Sequence, residues 1–151
     1  MLKFIQGLLN LNALLASKVR ATTAYDEALA YHGAKDYKNA LPLMIEAAEL
    51  GNTQAMSVLG SMYLLGHGVK EDGKLAVKWL QKAIDGGFDG AVSVLGMAYV
   101  TGKAGVKIDV SKGREMLSFA AERGDEQSSR MLAMMDSGEG MFANLKRGKS
   151  R

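Results

Sequence analysis

The sequence has no cysteine, one proline and two histidines among its 151 residues. Without cysteine the chain forms no disulfide, thiolate zinc site or iron–sulfur cluster, and it has no cysteine nucleophile. With only His32 and His67, a three-histidine metal site is impossible, and no HExxH helix exists. We therefore expect no enzyme, and no catalytic, metal-binding or cofactor-binding residues.

Positive charge is also scarce where a nucleic-acid groove would need it. The net charge is +3, but residues 1–20 and 137–151 each contribute +3 and the body between them is −3, with 12 basic and 15 acidic residues. A phosphate-binding surface needs cations gathered on the folded body. We therefore expect no nucleic-acid partner.

Glycine is abundant, with 18 residues, and its positions reveal an internal repeat. The segment from Leu59 to Val69 matches the segment from Leu95 to Val106, and the second copy carries one extra loop residue. Weaker copies flank these two. We divide the chain into an N-terminal apolar helix, a repeat domain of three units and a half unit, and a basic tail. The ranges are 1–21 for the helix; 22–51, 52–87, 88–124 and 125–136 within a repeat domain of 22–136; and 137–151 for the tail.

Each unit has the pattern of two helices. In residues 72–87 the small and apolar side chains recur at i, i+4 and i+7, which is typical of an amphipathic helix. Asp36, Asp72 and Asp109 are placed to cap the second helices, and a glycine closes each of them. Because one helical hairpin cannot bury its own apolar face, the units are expected to stack. The predicted fold is all-α: a right-handed α-solenoid of about eight helices in helix-turn-helix repeats.

The string A-x(3)-LG-x(2)-Y-x(2)-G-x-GV-x(2)-D-x(3)-A-x(2)-W-x(3)-A-x(3)-G, from Ala55 to Gly87, resembles the Sel-one-like repeat (SLR), a relative of the tetratricopeptide repeat. The resemblance implies a superhelix that serves as an adaptor or scaffold for other proteins. Many secreted bacterial relatives carry a cysteine pair in each repeat, and this chain has none. Properties of those relatives are therefore not carried over.

If the first helices line the concave face, as the resemblance implies, the Leu-Gly register selects a set of candidate groove residues. They are Tyr25, Leu29 and His32; Gln54, Ser57, Ser61 and Leu64; Ser93, Met97 and Val100; Gln127, Arg130 and Met134. This groove is nearly uncharged, which suits a partner helix or extended segment held by apolar contacts and by serine and glutamine hydrogen bonds. The alternative is that some of these side chains pack beneath the terminal helix.

Two features that look catalytic have simpler interpretations. Residues Gly68 to Lys74 satisfy GxxxxGK, but Leu75 stands where a phosphate loop needs Ser or Thr, and a helix precedes the motif instead of a strand. His67 falls in the glycine-rich loop, where we expect a solvated side chain. We expect no small-molecule partner.

The first 21 residues allow two interpretations. Phe4, Leu8, Leu11 and Leu15 lie on one stripe of a helix that could cover the exposed end of the solenoid. Alternatively, Lys3 and the apolar run before Ala21 outline a cleaved signal peptide. The capping helix predicts a cytoplasmic protein and the signal peptide a periplasmic or secreted one. The basic flanks permit a weak membrane-surface role, but a membrane is not the expected partner.

The predicted function is a non-catalytic scaffold or adaptor that binds another protein in the groove. The alternative is a dedicated bacterial inhibitor of the immunity type, which neutralises one toxin or enzyme, as some small proteins similar to this repeat family do.

Overall fold

The structure is a computed structural model and describes residues 1–138. These residues form seven α-helices and a short 3-10 turn at Lys103–Gly105. The helices are α1 (Leu2–Gly33), α2 (Tyr37–Glu49), α3 (Thr53–Leu65), α4 (Gly73–Asp85), α5 (Gly90–Thr101), α6 (Val110–Glu122) and α7 (Glu126–Ser137). Most of the predicted basic tail lies outside the described residues.

The helices pack as stacked hairpins. α1 pairs with α2, α3 with α4 and α5 with α6, and each hairpin contacts the next through α2 and α3, α4 and α5, or α6 and α7. This arrangement confirms the all-α fold of stacked helical hairpins. The stack is continuous because every neighbouring pair of helices shares a contact surface.

The helix ends follow the predicted signals. The carboxylates of Asp36, Asp72 and Asp109 each accept a hydrogen bond from the backbone N–H three residues later, at 3.3, 3.0 and 3.0 Å. The glycine two residues beyond each second helix has a φ between +90° and +93°, which a side chain would disfavour. These glycines are Gly51, Gly87 and Gly124. Local sequence therefore sets where each hairpin begins and ends.

Small residues let the two helices of a hairpin approach closely. A Cβ atom added at Gly60 would lie 2.6 Å from Leu80 Cγ, and one at Gly113 would lie 2.8 Å from the Gly96 carbonyl oxygen. Leu80, Leu95 and other large side chains fill the layers between hairpins and are fully buried. Close contacts through small residues thus join the two helices of the α3–α4 and α5–α6 hairpins.

The N-terminal segment differs from its prediction. Residues 1–21 are not a separate helix, because α1 runs without a break to Gly33, which leaves seven helices in residues 1–138 where about eight were expected. The stripe of Phe4, Leu8, Leu11 and Leu15 does not cover the end of the stack, since these side chains are 47–72% exposed. No helix within residues 1–138 has the length and apolar character needed to cross a bilayer.

Candidate functional site

The first helices of the repeats form one layer of the stack. α3 contacts α5, and α5 contacts α7, although each belongs to a different unit. We call the solvent-facing surface of α3, α5 and α7 the inner face. It is the surface on which the sequence placed most of the candidate groove residues.

A cavity of about 220 Å³ opens on the inner face between α3 and α5. Its lining is almost entirely apolar and comprises Ser61, Leu64, Leu65, Val94, Met97, Ala98, Thr101 and Lys103. Pockets for drug-sized ligands and cofactors usually measure about 300–1,000 Å³. The cavity is smaller, and its size and lining suit one large apolar side chain from a partner.

The structure brings three of the predicted residues into this cavity: Ser61, Leu64 and Met97. Ser57 and Val100, in contrast, are 6% and 4% exposed and so cannot form a contact surface. Val100 packs with Leu117 in the core between α5, α6 and α7. Leu64 lines the cavity but is only 5% exposed, so little of its side chain is accessible there. The prediction that Ser57 and Val100 line the groove was wrong, because both side chains are packed between neighbouring helices.

The serine hydroxyls are less available than the sequence suggested. Ser61 Oγ donates to the Ser57 carbonyl at 3.1 Å, and Ser93 Oγ donates to the Gly90 carbonyl at 3.3 Å. A hydroxyl has one proton to donate, so each serine can offer a partner only its acceptor lone pairs. The inner face is therefore more apolar than predicted.

The remaining predicted residues lie outside the cavity. Tyr25 is half-buried, and burial together with the nearby Asp26 charge raises the pKa of its hydroxyl. Leu29, Gln54, Gln127, Arg130 and Met134 are exposed, and the Arg130 guanidinium pairs with Glu126 on its own helix at 2.8 Å.

Sequence reasoning missed five lining residues. They are Leu65, Val94, Ala98, Thr101 and Lys103. Val94, Ala98 and Thr101 follow i, i+4, i+7 spacing, one position beyond the predicted residues of α5. That spacing could have indicated these lining residues, because the cavity is lined by the sides of α3 and α5 that face each other rather than by the sides that face solvent.

A second cluster joins the first two units. The His67 ring stacks on the Tyr37 ring, with centroids 4.1 Å apart and planes 10° apart. The His32 ring lies 5.1 Å from Tyr37 and 5.6 Å from His67. The predicted solvated role of His67 was therefore wrong, because the loop folds back onto the start of α2.

The cluster is partly withdrawn from solvent. Nδ1 of His67 is buried and makes no hydrogen bond within the described residues. Burial lowers the pKa of His32, and the neighbouring His67 lowers it further. Within residues 1–138 no group of three or more potential ligands is placed to hold a metal ion.

Stacked hairpins with an apolar inner face define an α-helical repeat protein. The Sel1 repeat model matches residues 26–52, 53–88 and 91–125. Because these ranges span more than half of the chain, the protein belongs to the Sel1 repeat family. No functionally curated protein matches it at a significant level.

Solved structures share this fold. A protective antigen of uropathogenic Escherichia coli with an SLR fold is 32% identical, with a TM-score of 0.67 over 76% of this chain. The chain spans 25% of that antigen's length. A Sel1 repeat protein from Oxalobacter formigenes is 28% identical, with a TM-score of 0.62 over 82% of this chain and 97% of its own. Cysteine rich protein B of Helicobacter pylori is 24% identical, with a TM-score of 0.52 over 61% of this chain and 68% of its own, and is similar in fold.

Proposed function

We propose that this Sel1 repeat protein is a non-catalytic scaffold that binds a helix or extended segment of another protein on its inner face. The cavity between α3 and α5 is the anchor point, and one large apolar side chain of the partner fills it. The observation that carries the proposal is this apolar cavity at the junction of the second and third units. Binding energy at interfaces concentrates where a side chain enters such a desolvated pocket.

The charges around the cavity support an uncharged partner surface. Lys103, the one cation in the lining, is paired with Glu71 at 2.8 Å. The half-buried Met97 lies in the wall, and its flexible thioether adapts to differently shaped apolar groups. A partner with a carboxylate or phosphate at this point would find no unpaired cation in the lining.

The test starts with affinity capture of the partner from the source cells, followed by titration of the purified partner against variants. Met97→Glu places a charge in the cavity wall, and we expect binding to weaken about 30-fold or more, the size of a hot-spot loss. Leu50→Glu is the matched control, because Leu50 is an exposed leucine at the end of α2, away from the cavity. Equal binding by wild type and a folded Met97→Glu variant would overturn the proposal.

The same titration separates the adaptor from the dedicated inhibitor. An inhibitor should recover one partner at one-to-one stoichiometry with nanomolar affinity, whereas an adaptor should recover several partners more weakly. Loss of the partner's own activity on binding would identify the inhibitor.

A further inference from the structure

The first half of α1 carries a large apolar surface that nothing in the described chain covers. Exposed fractions on this segment include 72% for Phe4, 47% for Leu8, 57% for Leu9, 50% for Leu11 and 52% for Leu15. Phe4, Leu8, Leu11 and Leu15 follow i, i+4, i+7 and i+11 spacing and Leu9 is next to Leu8, so these side chains form a single patch. Contiguous apolar patches of this kind usually mark a surface that contacts a partner or a membrane.

The patch is broad. On a helical wheel with 100° per residue, the apolar side chains form an arc whose two limits are Leu11 and Leu9. This arc covers about half of the helix circumference and is interrupted by Asn12. A two-stranded coiled coil needs only a narrow seam at a and d positions. A helix with about half of its circumference apolar instead suits a flat interface between an apolar phase and water.

The patch also faces away from the repeats. The buried residues Ala24 and Ala28 fix the side of α1 that packs on the stack. Projected back toward the N-terminus, that side carries Lys3, Gln6 and Asn10, with Leu14 at its edge, and the apolar patch lies nearly opposite. The patch therefore remains open when the repeat domain is fully assembled.

Charge distinguishes between two candidate partners of the patch, a second copy of this chain and a lipid surface. Residues 1–20 contain no Asp or Glu. Lys18 lies at the Leu11 edge of the patch, and Lys3 lies near its N-terminal end on the opposite side of the helix. A second copy would bring cationic helices together, whereas an anionic lipid surface attracts them. Arg20 is engaged elsewhere, because its guanidinium donates to both oxygens of Glu46 at 2.6 Å.

We propose that residues 2–19 of α1 are an interfacial anchor that lies in the plane of an anionic lipid bilayer. The apolar patch enters the boundary of the acyl chains, and Lys3 and Lys18 remain among the headgroups. This goes beyond the expectation from sequence, which allowed the basic flanks a weak membrane-surface role but did not expect a membrane as the partner. Since α1 is continuous and the Arg20–Glu46 ion pair joins it to α2, the anchor would hold the repeats at a defined orientation to the bilayer surface.

The test is sedimentation of the full chain with vesicles of phosphatidylcholine, with and without 30% phosphatidylglycerol, where intact mass verifies that residues 2–19 are present. We expect binding to the anionic vesicles, and binding at least about tenfold weaker without phosphatidylglycerol or in 0.5 M salt. The Leu8→Gln/Leu15→Gln variant should bind at least about tenfold more weakly, since two apolar contacts are lost. The control Leu50→Gln/Ile108→Gln changes two exposed apolar residues elsewhere and should bind like wild type.

Three results would overturn the anchor. The first is a negative vesicle experiment, in which wild type either fails to bind anionic vesicles or binds them no better than Leu8→Gln/Leu15→Gln. The second is a dimer in analytical ultracentrifugation that this variant converts to a monomer, which would assign the patch to a second copy. The third is a protein from its own cells that lacks residues 1–21. None of these results depends on the inner face, so the proposed partner-binding function is tested separately.

Discussion

The loops of the second and third units solve the same packing problem in different ways. Each loop folds over the first residue of the second helix in the preceding unit. The α3–α4 loop packs on Tyr37, where a Cβ added to Gly68 would lie 2.6 Å from the Tyr37 carbonyl oxygen. The α5–α6 loop packs on Gly73, where an added Cβ would lie 2.6 Å from the Ala104 carbonyl oxygen. Tyr37 and Gly73 occupy equivalent positions, 36 residues apart.

Loop size and the size of the covered residue compensate each other. The shorter loop covers a tyrosine and stacks His67 on its ring at 4.1 Å. The longer loop has one extra residue, forms the 3-10 turn and covers a glycine. Because protein interiors are close-packed, added volume in one element requires removed volume in the other. The glycine at position 73 therefore makes room for the extra loop residue of the third unit.

Giving the second unit the tyrosine of the first should break this compensation most severely. We expect Gly73→Tyr to lower the free energy of unfolding by about 3 kcal/mol, since the new side chain meets backbone atoms of Ala104 and Val106. Urea unfolding measures the change. The control is Gly33→Ala, where an added Cβ has no neighbour within 4 Å.

Shortening the loop should repair that damage. In the Gly73→Tyr background, deletion of Ala104 gives the loop the length of its counterpart in the second unit. We expect recovery of at least half of the lost stability, although the deletion alone destabilises, and a double-mutant cycle measures this coupling. Strictly additive losses would show that loop length and residue size are independent.

Removing the tyrosine from the first unit should have the next largest effect. Tyr37→Ala deletes the ring on which His67 stacks and the ring neighbour of His32. For a half-buried aromatic side chain we expect a loss of about 2 kcal/mol in unfolding free energy. Tyr31→Ala is the comparison, because Tyr31 is 42% exposed. Similar losses of unfolding free energy in both variants would show that the stacking of Tyr37 on His67 makes no special contribution.

His32 should make the contact between the first two units sensitive to acid, unlike the contact between the second and third units. The pKa of His32 is lowered by burial and by His67, so the folded chain binds fewer protons than the unfolded chain below pH of about 6.5. The contribution of His32 is present above that pH and is lost as pH falls through it. Urea unfolding between pH 8 and pH 5.5 should show a shallower decline for His32→Gln, and an unchanged slope would contradict the assignment. This window stays above the range of Glu46, whose pKa is lowered by the hydrogen bond from Arg20.

The smallest effect should come from the ion pair that links the two loops. Lys103 Nζ of the longer loop lies 2.8 Å from Glu71 Oε1 of the shorter one, and both side chains are nearly half exposed. Glu71→Gln should cost about 0.3 kcal/mol at low salt and nothing measurable in 0.5 M salt. Glu126→Gln, which breaks a pair within α7, is the control. A loss that persists in high salt would point to packing instead of charge.

The sequence was informative wherever a signal was local and repeated. The caps at Asp36, Asp72 and Asp109 and the register of Gly60 and Gly96 follow from short-range hydrogen bonding and helical periodicity, so the hairpins could be predicted from residue order. The candidate site was predicted only in part. Ser61 and Met97 line the cavity, but Ser57 and Val100 are buried, because exposure depends on how neighbouring hairpins are rotated against each other, and a single helix carries no record of that angle.

The sequence by itself determined the repeat period, the ends of the second helices and the fold, since each depends on contacts within about one turn of helix or within one hairpin. Only the tertiary structure decided which side chains meet across units. His32, Tyr37 and His67 form one cluster because a loop folds back on the preceding hairpin, and the cavity exists because α3 and α5 leave a gap. The exposure of the α1 patch was also decided by the tertiary structure. The amphipathic pattern could be recognised in the sequence, but the side of the helix that the stack would cover could not.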